Sequence, residues 1–159
     1  MEDTRYAPPK ARVDAVQEDA AAAPPLWNPN AAANWCLLFT PTFGAWLQMK
    51  NWVALGETRR AATARFWVFI TGTVLVLEVL VDLLLPRSAL SASTTPLGFL
   101  LLIVWYFASG RPHAKWVDLR FGNRYPRRGW TKPLLCGLGG YVAVIAAGAV
   151  VGFVTAALH

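Results

Sequence analysis

Three stretches of this chain run for twenty residues or more with almost no charge, and such a chain has few places to fold other than a lipid bilayer. Phe66 to Leu85 (FWVFITGTVLVLEVLVDLLL) is interrupted only by Glu78 and Asp82. As a helix it rises about 30 Å, the thickness of the hydrocarbon layer. Ser88 to Gly110 is uncharged between Arg87 and Arg111, and Pro133 to Leu158 is uncharged after Lys132. Charged residues make up 15% of the 159 and hydrophobic ones 55%, against about 25% charged in an ordinary soluble domain. Despite a net charge of +6, this composition excludes a disordered tail and a soluble nucleic-acid binder. The expected fold is an all-α integral membrane protein with transmembrane helices at 66–85, 88–110 and 133–158.

The two acids in the first run make its insertion a question of magnitudes. Its fourteen Leu, Ile, Val and Phe residues contribute roughly −4 to −8 kcal/mol on the insertion scale, against at most about +5 to +7 for two central carboxylates. Asp82 stands near the end of the run, where its penalty falls, so insertion is favoured. In the second run the dense part, Leu97 to Ala108, is too short to cross alone. It must recruit Ala89 to Pro96, with Pro96 as a kink or a helix start after Thr95. The third run is clean. Its small residues recur at four-residue spacing, Gly139, Ala143 and Ala147 on one stripe and Gly148, Gly152 and Ala156 on the next. Small side chains let helix backbones approach closely. Packing on the chain's own spans is the simpler use of that face, and a dimer seam the functional one.

A fourth uncharged segment, Ala20 to Met49, is broken by Pro24, Pro25, Pro29 and Pro41. Within it 31–49 reads either as a Pro-kinked span or as a re-entrant element. Thr40-Pro41 predicts an N-cap followed by proline at the first helical position, restarting a helix through about Leu55, with Gly56 as its C-terminal stop. Trp27, Trp35, Trp46 and Trp52 suit the headgroup interface. Residues 31–159 thus form one helical membrane domain, with its kinked segment at 31–55. Residues 1–30 mix acids, Ala and Pro as an expected mobile tail. No basic n-region leads into an apolar h-region there, so no cleaved signal peptide is expected.

Orientation follows from the basic residues. The 111–132 loop holds Arg111, Lys115, Arg120, Arg124, Arg127, Arg128 and Lys132 against one acid, Asp118. Residues 50–65 hold Lys50, Arg59, Arg60 and Arg65 against Glu57, and 86–95 only Arg87. The positive-inside rule places the first two segments in the cytoplasm and the third outside, leaving the C-terminus periplasmic. The N-terminus is outside if 31–49 crosses and inside if it is re-entrant.

Glu78 and Asp82 are the sharpest chemical candidates. At i and i+4 they share a helical face with Thr71 and Leu75. Intramembrane carboxylates normally face protein or water and often mark ion or proton paths. The plainer reading has Asp82 at the outer headgroups and Glu78 protonated or bonded to a neighbouring helix. The basic loop interleaves its seven cations with Trp116, Phe121, Tyr125 and Trp130. Single-stranded nucleic-acid binders share that composition, but between two spans it fits anionic lipid headgroups more simply. The expected partners are therefore the bilayer and a protein or a second copy, not nucleic acid. Cys36 and Cys136 lie in or beside apolar segments without CxxC spacing. His113 and His159 are isolated and read as solvated loop and terminal residues. Gly137, Gly139 and Gly140 fit no phosphate-cradling pattern. No cofactor, metal site or catalytic set is expected, and the chain is read as a non-enzyme.

The segment Trp27 to Gly56 reads WNPNAAANWCLLFTPTFGAWLQMKNWVALG. It resembles a pattern in small polytopic inner-membrane proteins of proteobacteria, LLFTPxFGAxLxxxNWxALG following a Trp-x-Pro entry, over about thirty residues. Thr40, Pro41, Phe43, Gly44, Asn51 and Trp52 carry the most distinctive part. The resemblance implies an inner-membrane location in a Gram-negative bacterium and no particular activity. The motif reads structurally as a Pro-started, Gly-packed helix anchored at its end by Asn51 and Trp52. The leading expectation for function is a non-enzymatic inner-membrane protein acting through protein–protein interaction, one form of which is an immunity protein against a membrane-active bacterial toxin. The alternatives are a proton- or cation-conducting transporter or channel subunit using Glu78 and Asp82, and a structural subunit of a membrane complex.

Overall fold

The structure is a computed structural model that describes residues 22–84 and 89–157, with the helix alone for 82–84, 89–96 and Thr155. It is all-helical. The described elements are α1 (Pro29–Trp35), α2 (Pro41–Ala54), α3 (Thr58–Leu84), α4 (Ala89–Trp105), a π-helical segment (Tyr106–Gly110), α5 (Arg111–Phe121) and α6 (Thr131–Ala157). Among the described residues, two helices are long and apolar enough to cross a membrane: α3 over Thr58–Val81 and α6 over Thr131–Val154. Within the run read at 88–110, the described residues 89–110 are helical but are not one long α-helix. Its α-helical part is 17 residues, and the ladder then widens into the π segment before α5 continues without a break. The segment read as a basic loop, 111–132, is therefore half helix, and only 122–130 connects α5 to α6.

Local chemistry explains where the short helices begin and end. Asn28 caps α1, its side-chain oxygen accepting from the backbone N–H groups of Asn30 (3.0 Å) and Ala31 (3.4 Å), with Pro29 at the first helical position. The chain breaks after Trp35 and restarts at Pro41, so 31–49 is two helices rather than one kinked span. Neither is long enough to cross. Thr40 makes no side-chain capping hydrogen bond. Pro41, with a preset φ and no N–H to satisfy, starts α2 without that help. Gly56 ends α2 at φ +72°, a left-handed conformation that glycine adopts without penalty.

α2 is the hub. Phe43, Gly44, Ala45, Leu47, Gln48, Asn51 and Trp52 are all buried along it, and α3 packs against it. Trp105, 2% exposed, fills the space left by two glycines. A Cβ on Gly44 of α2 would stand 2.6 Å from the Trp105 ring, and one on Gly110 would stand 3.3 Å from it. A second aromatic cluster gathers Trp27, Trp35, Phe39, Trp46 and Trp130 around Phe43 and Leu47. An extended strap crosses the base of these helices. Leu26, fully buried, donates its N–H to Pro126 (3.0 Å) and accepts from Arg128 N–H (2.8 Å), and Trp27 Nε1 donates to the Gly129 carbonyl (3.0 Å).

α6 is held mainly at its start. Trp130 packs on Trp35 with ring centroids 6.4 Å apart. Pro133 is fully buried, and a Cβ on Gly137 would lie 2.9 Å from the Phe39 ring. The helix also touches α3, and beyond Gly137 it is largely exposed.

Candidate functional site

Four elements meet around a cavity of about 300 Å³ at the N-terminal end of α3. Gln48 and Trp52, one helical turn apart, come from α2, and Arg60 and Thr63 from α3. The π segment contributes Ala108 and Ser109, and α5 contributes Pro112, His113 and Trp116. None of these lining residues is acidic.

Gln48 and Ser109, both buried, close one wall by reciprocal bonding. Gln48 Nε2 donates to the Ser109 carbonyl (3.0 Å), and Ser109 Oγ donates to Gln48 Oε1 (3.1 Å). The π register shapes the backbone at this carbonyl; such one-residue expansions of a helix recur at functional sites. Trp52 forms the floor, its ring 4.6 Å from the His113 imidazole and edge-on to Trp116 at 4.9 Å. The Arg60 guanidinium sits over both indoles, 5.0 Å from Trp52 and 4.8 Å from Trp116. Two aromatic faces thus hold this cation by charge–quadrupole attraction.

His113 is the unusual group. It is 3% exposed, and its buried Nε2 has no hydrogen-bond partner among the described residues. Burial, followed by the charge of Arg60, pushes its pKa down to about 3, so the ring is neutral at physiological pH. The folded value lies below the ordinary 6.5, so between them the unfolded chain binds more protons than the folded one. Stability from this group is complete above about pH 6.5 and is lost as pH falls toward 3, at about 1.4 kcal/mol per unit. Thermal unfolding in detergent is expected to show about 2 kcal/mol less stability near pH 5 than near pH 7.5. In His113→Gln that slope should be largely gone; an equal slope in both proteins would show that His113 titrates as a solvated residue.

The sequence reading of His113 as a solvated loop residue is corrected here, because the π segment and Trp52 bring it inside. Trp52, read as an interfacial anchor, is buried against it. Among the other sequence-selected residues, Glu78 lines a separate cavity of about 320 Å³ with Thr40, Pro41, Thr71, Leu75 and Gly98. A Cβ on Gly98 would lie 3.0 Å from a Glu78 carboxylate oxygen, so the acid faces α4. Thr71 spends its hydroxyl within α3, donating to the Trp67 carbonyl (2.7 Å). The side chain of Asp82 lies outside the described residues, as do His159 and residues 1–21. The six small residues of α6 are exposed except for half-buried Gly148. Among the described residues, packing on the chain's own spans leaves Gly139, Ala143 and Ala147 exposed.

Of the seven cations at 111–132, only Arg128 is half-buried and the rest are exposed. Arg111 lies over Phe107, Arg120 over Trp116 and Phe121, Arg127 over Tyr125 and Arg128 over Trp27. The interleaved aromatics thus carry guanidinium groups. Within the motif, Gly44 meets Cys36 and Trp105, and the Asn51 side chain bonds both backbone groups of Trp27. Both cysteines are free, Cys36 buried and Cys136 exposed. The sequence reading did not select Gln48, Arg60, Thr63, Ser109, His113 or Trp116 as a group. The only local trace was Gln48 and Trp52 on one helical face. Compared with known proteins, the chain matches no family model, no curated protein and no solved structure.

Proposed function

We propose that this chain is a small non-enzymatic inner-membrane protein that works by binding another protein within the bilayer, and that α6 is the helix through which it binds. The observation carrying this reading is the exposed stripe of Gly139, Ala143 and Ala147 on an apolar helix of 27 residues. A helix that meets only lipid gains nothing from small side chains, whereas one that meets another helix gains close backbone contact. Among the described residues no helix covers that stripe, so the reading assigns it to a partner. One concrete form of the role is an immunity protein that occupies a membrane-active toxin. In this reading α3, α4 with its π segment, and α6 make three crossings. The basic 50–65 and 111–132 segments then lie in the cytoplasm, the latter on anionic headgroups, and the C-terminus is periplasmic.

A photocrosslinking residue at Ala143 in native membranes tests this. One adduct of defined mass is expected, and Gly139→Leu with Ala147→Leu should abolish it while leaving thermal stability intact. Absence of any adduct along the stripe would overturn the reading.

The cavity beside Glu78 favours a second reading, a proton- or cation-conducting subunit. An acid in a chamber lined by two threonines and apolar groups suits intramembrane ion handling. Proteoliposome flux that disappears in Glu78→Gln would establish it, and flux unchanged by that substitution would remove it.

A further inference from the structure

We infer that α1, α2 and the turn between them form a re-entrant hairpin, inserted from the cytoplasmic side to about the middle of the bilayer, with Leu37 and Leu38 at its tip against lipid acyl chains. The hairpin presupposes that α3 and α6 cross the bilayer, as proposed above, and is independent of what binds α6. Its two ends are clamped together. Asn51 of α2 accepts from Trp27 N–H (3.0 Å) and donates to the Trp27 carbonyl (2.8 Å), so the chain that leaves Trp27 returns to the same level. Between these ends, Asn28 to Met49 carries no charge. From Pro41 to Asn51 α2 rises about 15 Å, half the hydrocarbon thickness.

Depth follows from the neighbouring helices. Counted from the nearest cation on each, all three place the turn well inside the apolar layer. The Thr42 methyl lies 3.5 Å from where a Cβ on Gly72 would stand, and Gly72 is about 10 Å along α3 from Arg65. The Phe39 ring stands against Gly137, about 8 Å along α6 from Lys132. Leu37 lines a cavity with Leu102, about 13 Å along the helical run from Arg111.

The turn itself suits hydrocarbon. Cys36, Leu37, Leu38 and Phe39 each donate their N–H to a carbonyl of α1, and Pro41 has no N–H to satisfy. Backbone outside a regular helix survives at membrane depth only when such groups are paired or enclosed. Leu37 is 68% exposed and Leu38 70%, a costly placement for two adjacent leucines in water. Leu37 also lies beside exposed Phe99 and Ile103 of α4. The tip therefore continues the apolar face that α4 turns outward, and acyl chains are its occupant.

Spin labelling of the full chain in phosphatidylglycerol–phosphatidylcholine vesicles decides it, in a Cys136→Ser background with buried Cys36 left in place. Leu37→Cys and Leu38→Cys carry the nitroxide; both positions are exposed, so the label leaves the packing intact. Phe69→Cys and Leu77→Cys, also exposed, mark a shallow and a deep level on α3. Collisions with oxygen, which concentrates in hydrocarbon, are compared with collisions with a water-soluble nickel chelate. The oxygen-to-nickel ratio at Leu37 and Leu38 should be close to that at Leu77 and several-fold above that at Phe69. A ratio below that of Phe69, with Leu77 still deep, overturns the hairpin alone. Leu77 open to nickel overturns the crossing of α3 on which the hairpin stands. Few collisions with either reagent at Leu38 would mean that protein covers the tip, which overturns the lipid contact. Sidedness gives an independent check. Cysteines at exposed positions Ala22 and Asn123, introduced singly, should react with a membrane-impermeant maleimide from the same side of the vesicle. Reaction from opposite sides would show that the segment between Trp27 and Asn51 crosses, and the hairpin would fall.

Discussion

Gly44→Val is expected to lower the stability of the helical core by about 3 kcal/mol or more, with a fall of roughly 10 °C in the thermal midpoint in detergent. Even a bare Cβ at position 44 collides with the Cys36 sulfur and stands 2.6 Å from the Trp105 ring. Neither neighbour has room to retreat. Cys36 is 2% exposed, and its thiol donates to the Ala32 carbonyl at 3.1 Å. Trp105 is 2% exposed, and Gly110 also stands against its ring. Overpacking a site with two immobile walls forces backbone shifts rather than rotamer changes. Here the shift would separate α2 from the junction of α4 and the π segment. Cys36→Ala combined with Gly44→Ala should recover part of the loss carried by Gly44→Ala alone, because it removes one of the two colliding atoms. Gly139→Ala, whose Cβ meets nothing within 4 Å, should leave stability unchanged. A thermal midpoint for Gly44→Val equal to the parent's would show that α2 and Trp105 do not touch.

What the sequence makes legible is set by local terms. Pro41 and Gly56 bracket α2 because a missing N–H and a left-handed φ are properties of single residues. The apolar runs that become α3 and α6 stand out because lipid-compatible length and composition are also local. The break between α1 and α2 was partly visible in the prolines, but the helix end at Trp35 has no punctuating residue of its own. The π segment left no signature: Tyr106 to Gly110 continues the helical run, and the Gln48 amide that donates to the Ser109 carbonyl lies 61 positions away. The cavity was unreadable for the same reason. An isolated histidine next to a basic segment is ordinarily solvated, and His113 is buried because Trp52 packs on it from another helix. Small residues on α6 were legible as a stripe, while the exposure of Ala143 was not, because it depends on where the described helices α3 and α4 lie.

Asn51→Leu is the substitution expected to detach the strap that precedes α1. Asn51 is 1% exposed and uses both ends of its amide on one residue. Oδ1 accepts from Trp27 N–H (3.0 Å), and Nδ2 donates to the Trp27 carbonyl (2.8 Å). Leucine is similar in volume but offers neither group, so two backbone polar atoms lose their partners. At about 1–3 kcal/mol for each stranded group, the expected loss is about 4 kcal/mol. Asn51→Asp should fare no better, since it keeps the acceptor for Trp27 N–H but sets a buried carboxylate against the Trp27 carbonyl. The damage should be local before it is global. The strap also bonds to the α5–α6 connection through Leu26 and Trp27 Nε1, so freeing Trp27 loosens 126–129 and with it the entry to α6. Amide hydrogen exchange at Trp27, Leu26 and Arg128 should therefore accelerate together, while the amides of α3 between Phe66 and Leu80 keep their protection. If Trp27 exchanges as slowly in Asn51→Leu as in the parent, the side-chain clamp is not what holds the strap. In that case the aromatic contacts of Trp27 with Trp46 and Arg128 suffice to position it.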